Sequence, residues 1–110
     1  MRRKLLSTAI LVFSLAPVAI ATAQSPGDPA AGQNKARLCN GCHAIPGYRN
    51  AYPAYRVPKL GGQHAEYISA ALKAYQTGQR SHPTMHAIAA TLGDQDIADL
   101  AAYFSGKTKP

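Results

Sequence analysis

The pentapeptide Cys39-Asn40-Gly41-Cys42-His43 places two cysteines three positions apart and a histidine directly after the second cysteine. This C-x-x-C-H spacing is the attachment pattern for c-type haem, in which both thiols become thioethers on the porphyrin edge. The next residue then lies under the ring, where its imidazole can reach the iron as an axial ligand. The motif therefore predicts one covalently attached haem c, held by Cys39 and Cys42, with His43 on the iron.

Three other uses of a cysteine pair fit the sequence less well. A thioredoxin-like redox pair expects a βαβ context, and no strand-rich run flanks the motif. A structural zinc site needs four nitrogen or sulfur ligands, usually as two pairs, whereas the chain has two cysteines and four scattered histidines. A disulfide between Cys39 and Cys42 closes too small a loop to add much stability.

The first 23 residues have the composition of an export signal. The basic start Arg2-Arg3-Lys4 precedes an apolar run from Leu5 to Ile20, and Ala21-Thr22-Ala23 fits the A-x-A pattern for cleavage. An uncleaved membrane anchor is the alternative, although the apolar run barely reaches the roughly 20 residues that a bilayer requires. We expect residues 1–23 to be a signal peptide that is removed, residues 24–110 to form one domain, and the protein to be periplasmic.

The expected mature chain is moderately basic. The signal contains three of the 12 basic residues and none of the five acidic ones, so the net charge falls from +7 to +4. A positive surface can steer a protein toward an acidic partner, and the same charge also aids solubility. The basic residues are dispersed rather than clustered, which argues against binding to nucleic acid.

Sequence patterns predict helices on both sides of a central loop. Asp28-Pro29 is a typical helix start, and a helix to about Leu38 leads into the cysteine motif. The next helix runs from Gln63 to Gln76, with Gly78 as its stop. Between them, residues 44–59 show neither the helical nor the strand pattern of apolar residues and are predicted to be a loop. Its candidates for contacts with the haem are Tyr48, Tyr52 and Tyr55.

Two further helices are predicted near the end of the chain. A short helix follows Met85 and ends at Gly93. We expect Asp94 to cap the final helix, which ends at Gly106. The predicted buried stripe of that helix consists of Ile97, Leu100, Ala101 and Phe104.

Met85 is the single methionine in the expected mature chain. A thioether is a soft neutral ligand, and a histidine–methionine pair raises the reduction potential of a haem iron. Pro83 lies in the preceding loop, which can bring the sulfur to the face opposite His43. We therefore predict Met85 as the second axial ligand. Histidine ligation is the alternative, and its candidates are His64, His82 and His86.

From Asp28 to Gly106 the chain resembles a class I cytochrome c of the small bacterial periplasmic kind. Four pieces in the expected order carry the resemblance: Cys39 to His43, Val57 to Gln63, the Met85 loop after Gly78-Gln79-Arg80, and Leu92 to Tyr103. The resemblance implies an all-α fold, with three to five short helices wrapped around one covalently attached haem.

The resemblance also implies roles for residues outside the motif. Pro58 matches the position whose carbonyl accepts a hydrogen bond from the proximal imidazole, here His43 Nδ1–H. Leu60 matches an apolar residue on the proximal face of the haem, and Arg80 resembles the residue that pairs with a haem propionate.

The first and last helices of this family cross at a small residue, and Gly32 and Tyr103 resemble that contact. The chain departs from the family about one turn before the first cysteine, where an aromatic or large apolar residue is usual and Lys35 and Ala36 stand instead. We expect either a looser crossing or compensation by Leu38 and Tyr103.

The function implied is that of a periplasmic electron carrier rather than an enzyme. Two protein ligands fill the iron and leave no site for a small-molecule substrate. We expect redox protein partners with an acidic docking surface, and membrane contact only through a partner complex. Two alternatives remain: an open-site haem protein such as a peroxidase or gas sensor, and the electron-entry subunit of a larger oxidoreductase complex.

Overall fold

Five α-helices follow one another in the described part of the chain, residues 25–51 and 54–107 of a computed structural model. The helices are α1 (Pro29–Lys35), α2 (Arg37–His43), α3 (Ala65–Gln76), α4 (Pro83–Ala89) and α5 (Asp94–Ser105). Within these ranges no β-strand forms, and one isolated antiparallel bridge joins Arg49 to Arg56. The predicted all-α fold class is confirmed.

The predicted signal peptide and Tyr52 lie outside the described residues. None of the helices described is both long enough and apolar enough to span a bilayer.

The predicted helix from Pro29 to Leu38 is in fact two helices. The Asp28 carboxylate accepts the Ala30 N–H at 2.9 Å, so the predicted cap is present. α1 then ends at Lys35, and Ala36 forms a turn before α2 begins. α2 carries the whole cysteine motif. Positions i, i+3 and i+4 of a helix share one face, so the two cysteines and the histidine project to the same side.

α1 and α5 cross in direct backbone contact at Gly32, which is buried. A Cβ at this position would lie 2.1 Å from the Asp99 carbonyl oxygen and 2.7 Å from the Tyr103 Cβ. Only glycine fits such an approach. The predicted contact between Gly32 and Tyr103 is therefore confirmed, and the crossing is tight rather than loose.

The departure from the family pattern at Lys35 and Ala36 is accommodated by an ion-pair cluster. Lys35 Nζ lies 2.5 Å from Asp99 Oδ2 and 2.8 Å from Asp96 Oδ1, and the Asp99 side chain is only 4% exposed. Ala36 has no exposed surface. The expected compensation by Leu38 is wrong, because that side chain is 66% exposed.

Asp99 also anchors the start of α1. Its Oδ1 accepts the Asp28 N–H at 2.8 Å and a hydrogen bond from the Gln95 side chain at 2.9 Å. The hydrogen bond from Lys35, followed by those from Asp28 and Gln95, lowers the pKa of the Asp99 carboxyl to about 2. The carboxylate thus stays charged under all ordinary conditions and keeps α1 docked on α5.

The bounds predicted for the helix after Met85 are wrong: α4 runs from Pro83 to Ala89, so it contains Met85 and ends before Gly93. The end of α3 matches its prediction. α3 ends at Gln76, and Gly78 beyond it has a φ of +77°, a left-handed conformation that favours glycine. Asp94 was predicted to cap α5, but it is the first residue of that helix. Gly93 occupies the cap position, and Asp96 reaches back to accept the Gly93 N–H at 2.8 Å.

A small apolar core lies between α3 and α5, next to the turn after α1. The predicted stripe of α5 is buried as expected: Ile97, Leu100, Ala101 and Phe104. Three of these residues pack with Ala36 and Ile68 in one cluster. A cavity lies beside this core, lined by Ala71 and Leu72 of α3 and by Ile88 of α4, and the predicted site residues meet there.

Candidate functional site

One cavity of about 660 Å³ collects every residue predicted for the site. These residues come from α2, from the segment between α2 and α3, from the chain that enters α4, and from the first turn of α4. They are Cys39, Cys42, His43, Pro58, Leu60, Arg80 and Met85. The fold therefore brings together side chains that lie up to 46 positions apart in the sequence. Their covalent and ligand roles remain predictions.

The face of α2 presents both thiols to this cavity. Cys39 and Cys42 are half-buried and free of any disulfide. Burial raises the pKa of the Cys39 thiol above its ordinary value. Cys39 also packs against the apolar core cluster. Both thiols thus face a cavity that a large apolar group can occupy.

The imidazole of His43 is held by the backbone of the loop that follows α2. Its Nδ1 lies 2.6 Å from the Pro58 carbonyl oxygen. A carbonyl only accepts, so Nδ1 carries the proton and Nε2 keeps its lone pair. The tautomer is therefore the one that can bind a metal through Nε2, and the hydrogen bond fixes the orientation of the ring.

Met85 belongs to the first turn of α4 and is half-buried in the same cavity. Pro83 is the first residue of this helix, and the Met85 N–H donates to His82 Nδ1 at 3.3 Å. Of the three histidines considered as competing ligands, His82 lines the cavity, whereas His64 and His86 do not. His86 Nδ1 instead lies 2.7 Å from the carbonyl oxygen of Tyr75.

The cavity walls are mainly apolar. α3, α4 and α5 contribute Ile68, Ala71, Leu72, Ile88, Leu100 and Phe104, and the turn between α4 and α5 adds Leu92. Three further lining residues are large and exposed: Leu38 at 66%, Tyr55 at 57% and Tyr67 at 53%. These three residues form the apolar rim of the cavity. Such walls suit a flat hydrophobic ring whose edge reaches the surface.

The ionised residues that line the cavity are all cationic. Arg56, Lys59 and Arg80 contribute to its lining, and no aspartate or glutamate does so in the described part of the chain. Arg80 Cζ also lies 5.0 Å from the centre of the Tyr75 ring, a cation–π contact that holds the guanidinium in place. The sequence reasoning missed Arg56 and Asn50, although Arg56 directly precedes the Val57-to-Gln63 piece of the resemblance.

This combination of groups fits haem c. Two thiols are available for thioether bonds, an imidazole and a thioether are available for iron, and cations are available for propionates. A zinc site is not supported, because residues 25–51 and 54–107 contain no cluster of three or more His, Cys, Asp or Glu side chains able to hold a metal.

Comparison with known proteins identifies the relatives of this chain. The family model for cytochrome c matches residues 29–106. Cytochrome c-554(548) of Halomonas halodenitrificans is 44% identical over 84 residues, which cover 74% of this chain and 98% of that protein. Cytochrome c4 of Pseudomonas aeruginosa is 38% identical over 104 residues, which cover 94% of this chain and 48% of that protein.

Among solved structures, thiosulfate dehydrogenase (TsdBA) from Marichromatium purpuratum aligns with a TM-score of 0.63 and 33% identity. The alignment covers 86% of this chain and 22% of that one. The chain thus spans about half the length of the cytochrome c4 relative but nearly all of cytochrome c-554(548). The family match covers all five helices and the complete cavity, and the chain therefore belongs to the cytochrome c family.

Proposed function

We propose that this protein is a one-electron carrier in which Cys39 and Cys42 hold haem c covalently and His43 and Met85 fill its two axial positions. Covalently bound haem c is implied by membership of the cytochrome c family, and the two cysteines fit its C-x-x-C-H motif. The observation that carries the proposal is the meeting, in one cavity, of an imidazole fixed in its metal-binding tautomer and a thioether.

The residues around the cavity suit electron transfer rather than the conversion of a substrate. Haem c supplies an iron that gains or loses a single electron. His43, oriented by the Pro58 carbonyl, would bind the iron in both oxidation states. Met85 would bind it as the second protein ligand, and a thioether ligand favours the reduced state. With both positions occupied by side chains, no open position remains for a substrate.

The apolar rim and the cations around it form the surface on which a partner docks. Leu38, Tyr55 and Tyr67 line the mouth of the cavity, and Arg56 beside them supplies positive charge. Such a surface suits a redox protein with an acidic face, because complementary charge speeds encounter while a small interface allows quick release. The protein meets a membrane only through such a partner.

The carrier operates in the periplasm. Residues 1–23 have the composition of a cleavable signal, and residues 24–110 are the single domain that remains after cleavage. Covalent attachment suits this location, because it prevents loss of the haem outside the cytoplasmic membrane.

A second candidate function is that of a dedicated electron-accepting subunit of an oxidoreductase. It is favoured by the structural similarity to a chain of thiosulfate dehydrogenase, in which the matching region makes up 22% of the length. The same docking surface would then meet one permanent partner. Stable co-purification of the native protein with an oxidoreductase would support this role over that of a free carrier.

The closed site is tested by mixing the ferric holoprotein rapidly with cyanide and, separately, with hydrogen peroxide. We expect slow cyanide binding, no sustained consumption of peroxide, and full reversible cycling with ascorbate and ferricyanide. Fast cyanide binding together with peroxide turnover by the wild-type protein would contradict the proposal and favour the open-site alternative.

The docking surface is tested by reversing single charges. Arg56→Glu should slow electron transfer to an acidic redox protein at low salt and weaken the dependence of its rate on ionic strength. Arg37→Glu is the matched control, because Arg37 is exposed and outside the cavity lining but changes the net charge equally. Equal effects of the two variants would show that only net charge matters.

A further inference from the structure

His82 forms a direct hydrogen bond with the residue that the proposed function places on the iron. It precedes α4 with an extended backbone (φ −159°, ψ 107°), and its Nδ1 accepts the Met85 N–H at 3.3 Å. Helix caps of this kind are usually Ser, Thr, Asp or Asn. The imidazole Nδ1 is attached to Cγ, as the side-chain oxygen of asparagine is, so histidine can reach the same N–H.

The ring of His82 is also held from its other sides. Since Nδ1 accepts a hydrogen bond, the ring proton lies on Nε2, which is 3.4 Å from the side-chain amide nitrogen of Asn50. With the amide rotated by half a turn, its oxygen accepts that proton. The rings of Tyr55 and Tyr75 flank the imidazole, with centroid distances of 6.0 and 6.4 Å.

These contacts connect the loop after α2 to the methionine helix. Asn50 lies next to the bridge between Arg49 and Arg56, where its N–H donates to the Tyr55 carbonyl at 2.9 Å. The direction of a side chain in the first turn of a helix depends on the backbone that carries it. The hydrogen bond to the Met85 N–H therefore fixes the backbone position from which the Met85 side chain extends.

We propose that His82 is a positioning residue that holds Met85 in place for the iron, with Asn50 fixing the imidazole in the tautomer this requires. The lone pair of Nδ1 is directed at the backbone of α4, so His82 supports the axial methionine rather than competing with it. This inference rests on the axial role of Met85 in the proposed function.

The test compares His82→Ala with His82→Asn in the ferric holoprotein. Asparagine keeps an acceptor at the Nδ1 position, whereas alanine removes it. Loss of the cap should raise both the exchange rate of the Met85 amide proton and the rate of cyanide binding, by roughly two- to thirtyfold. His82→Asn should keep both rates within about twofold of the wild type, because asparagine is among the best capping residues.

Two results would overturn the inference. Unchanged amide exchange and cyanide binding in His82→Ala would show that the bond to Met85 positions nothing. Equal acceleration in His82→Asn and His82→Ala would show that ring packing between the tyrosines, not the cap, is what matters. If His82→Ala does not accumulate as folded holoprotein, Asn50→Ala replaces it. This variant should accelerate both processes, and no change there would also overturn the inference.

Met85→Ala, measured in parallel, separates failure of this inference from failure of the proposed function. If Met85→Ala opens the iron to cyanide while His82→Ala has no effect, only the positioning role fails. If Met85→Ala leaves the rate of cyanide binding unchanged, the axial role itself is wrong and the inference falls with it.

Discussion

Replacing Gly32 by alanine should destabilise the protein by about 2 kcal/mol. The added Cβ would lie 2.1 Å from the Asp99 carbonyl oxygen, about 0.9 Å short of the 3.0 Å that real Cβ atoms keep. It would also lie 2.7 Å from the Tyr103 Cβ. The first of these contacts is with the backbone of α5, so no side-chain rotation relieves it and the two helices must separate.

The magnitude follows from two opposing effects. Overpacking costs roughly 1–3 kcal/mol, and the upper end applies because a backbone must move. Alanine recovers about 1 kcal/mol through its higher helix propensity. The net loss of about 2 kcal/mol corresponds to a fall in Tm of roughly 8–16 °C for a domain of this size.

The assay is thermal unfolding of the ferric holoprotein, followed by far-ultraviolet circular dichroism. Gly41→Ala is the matched control, because Gly41 also lies in a seven-residue helix but a Cβ there meets nothing within 4 Å. That variant should be neutral or more stable by up to about 1 kcal/mol. A Gly32→Ala protein that melts within about 2 °C of the wild type would refute the tight crossing of α1 and α5.

Three further predictions concern pH, haem attachment and the proximal histidine. Because the Asp99 pKa is lowered to about 2 from an ordinary 3.8, its stabilisation is present above about pH 4 and lost as the pH falls toward 2. Asp99→Asn should therefore lower Tm at neutral pH and flatten its decline on acidification; a parallel decline in both proteins would contradict this role. Cys39→Ala and Cys42→Ala should each weaken retention of haem through denaturation, measured by mass spectrometry, and full retention in both would contradict covalent attachment. Pro58→Ala should keep a low-spin ferric spectrum, because alanine retains the carbonyl that faces His43; loss of folding would show that the proline ring itself is required.

The parts of the site that the sequence predicts are those with fixed local chemistry. The cysteines and His43 lie within about one helical turn, which is the spacing for haem attachment. The motif can therefore be identified from the sequence without knowledge of the fold. Met85 could be predicted because it is the only methionine in the expected mature chain. Both predictions depend on residue type and order alone, and the structure places all three motif residues in one cavity with Met85.

What the sequence did not predict depends on contacts between distant segments. Lys35 and Asp99 are 64 positions apart, and their pairing requires the crossing of α1 and α5 to be known first. The break between α1 and α2 at Ala36 was not predicted, because no glycine or proline stands there. At the start of α5, aspartate is a common cap and Asp94 was the predicted one, yet Gly93 occupies the cap position and donates its N–H to the Asp96 carboxylate.

The role of His82 was hidden for a similar reason. Histidine is not a common capping residue, and its acceptor becomes visible only when the turn into α4 is built. Its contact with Asn50 joins segments 32 positions apart, which no local pattern can indicate. The sequence alone placed His82 among the competing ligands, whereas the geometry directs its Nδ1 to the Met85 backbone.

The most direct test of the account is a redox-controlled absorption spectrum of the exported holoprotein, recorded for the wild type and for Met85→Ala. If His43 and Met85 both bind the iron, the wild type has a low-spin ferric spectrum with the charge-transfer band from methionine sulfur to iron. In Met85→Ala that band vanishes and the reduction potential falls. A low-spin spectrum without that band would instead indicate a second histidine ligand. A high-spin ferric spectrum in the wild type would show an open iron and contradict the carrier function.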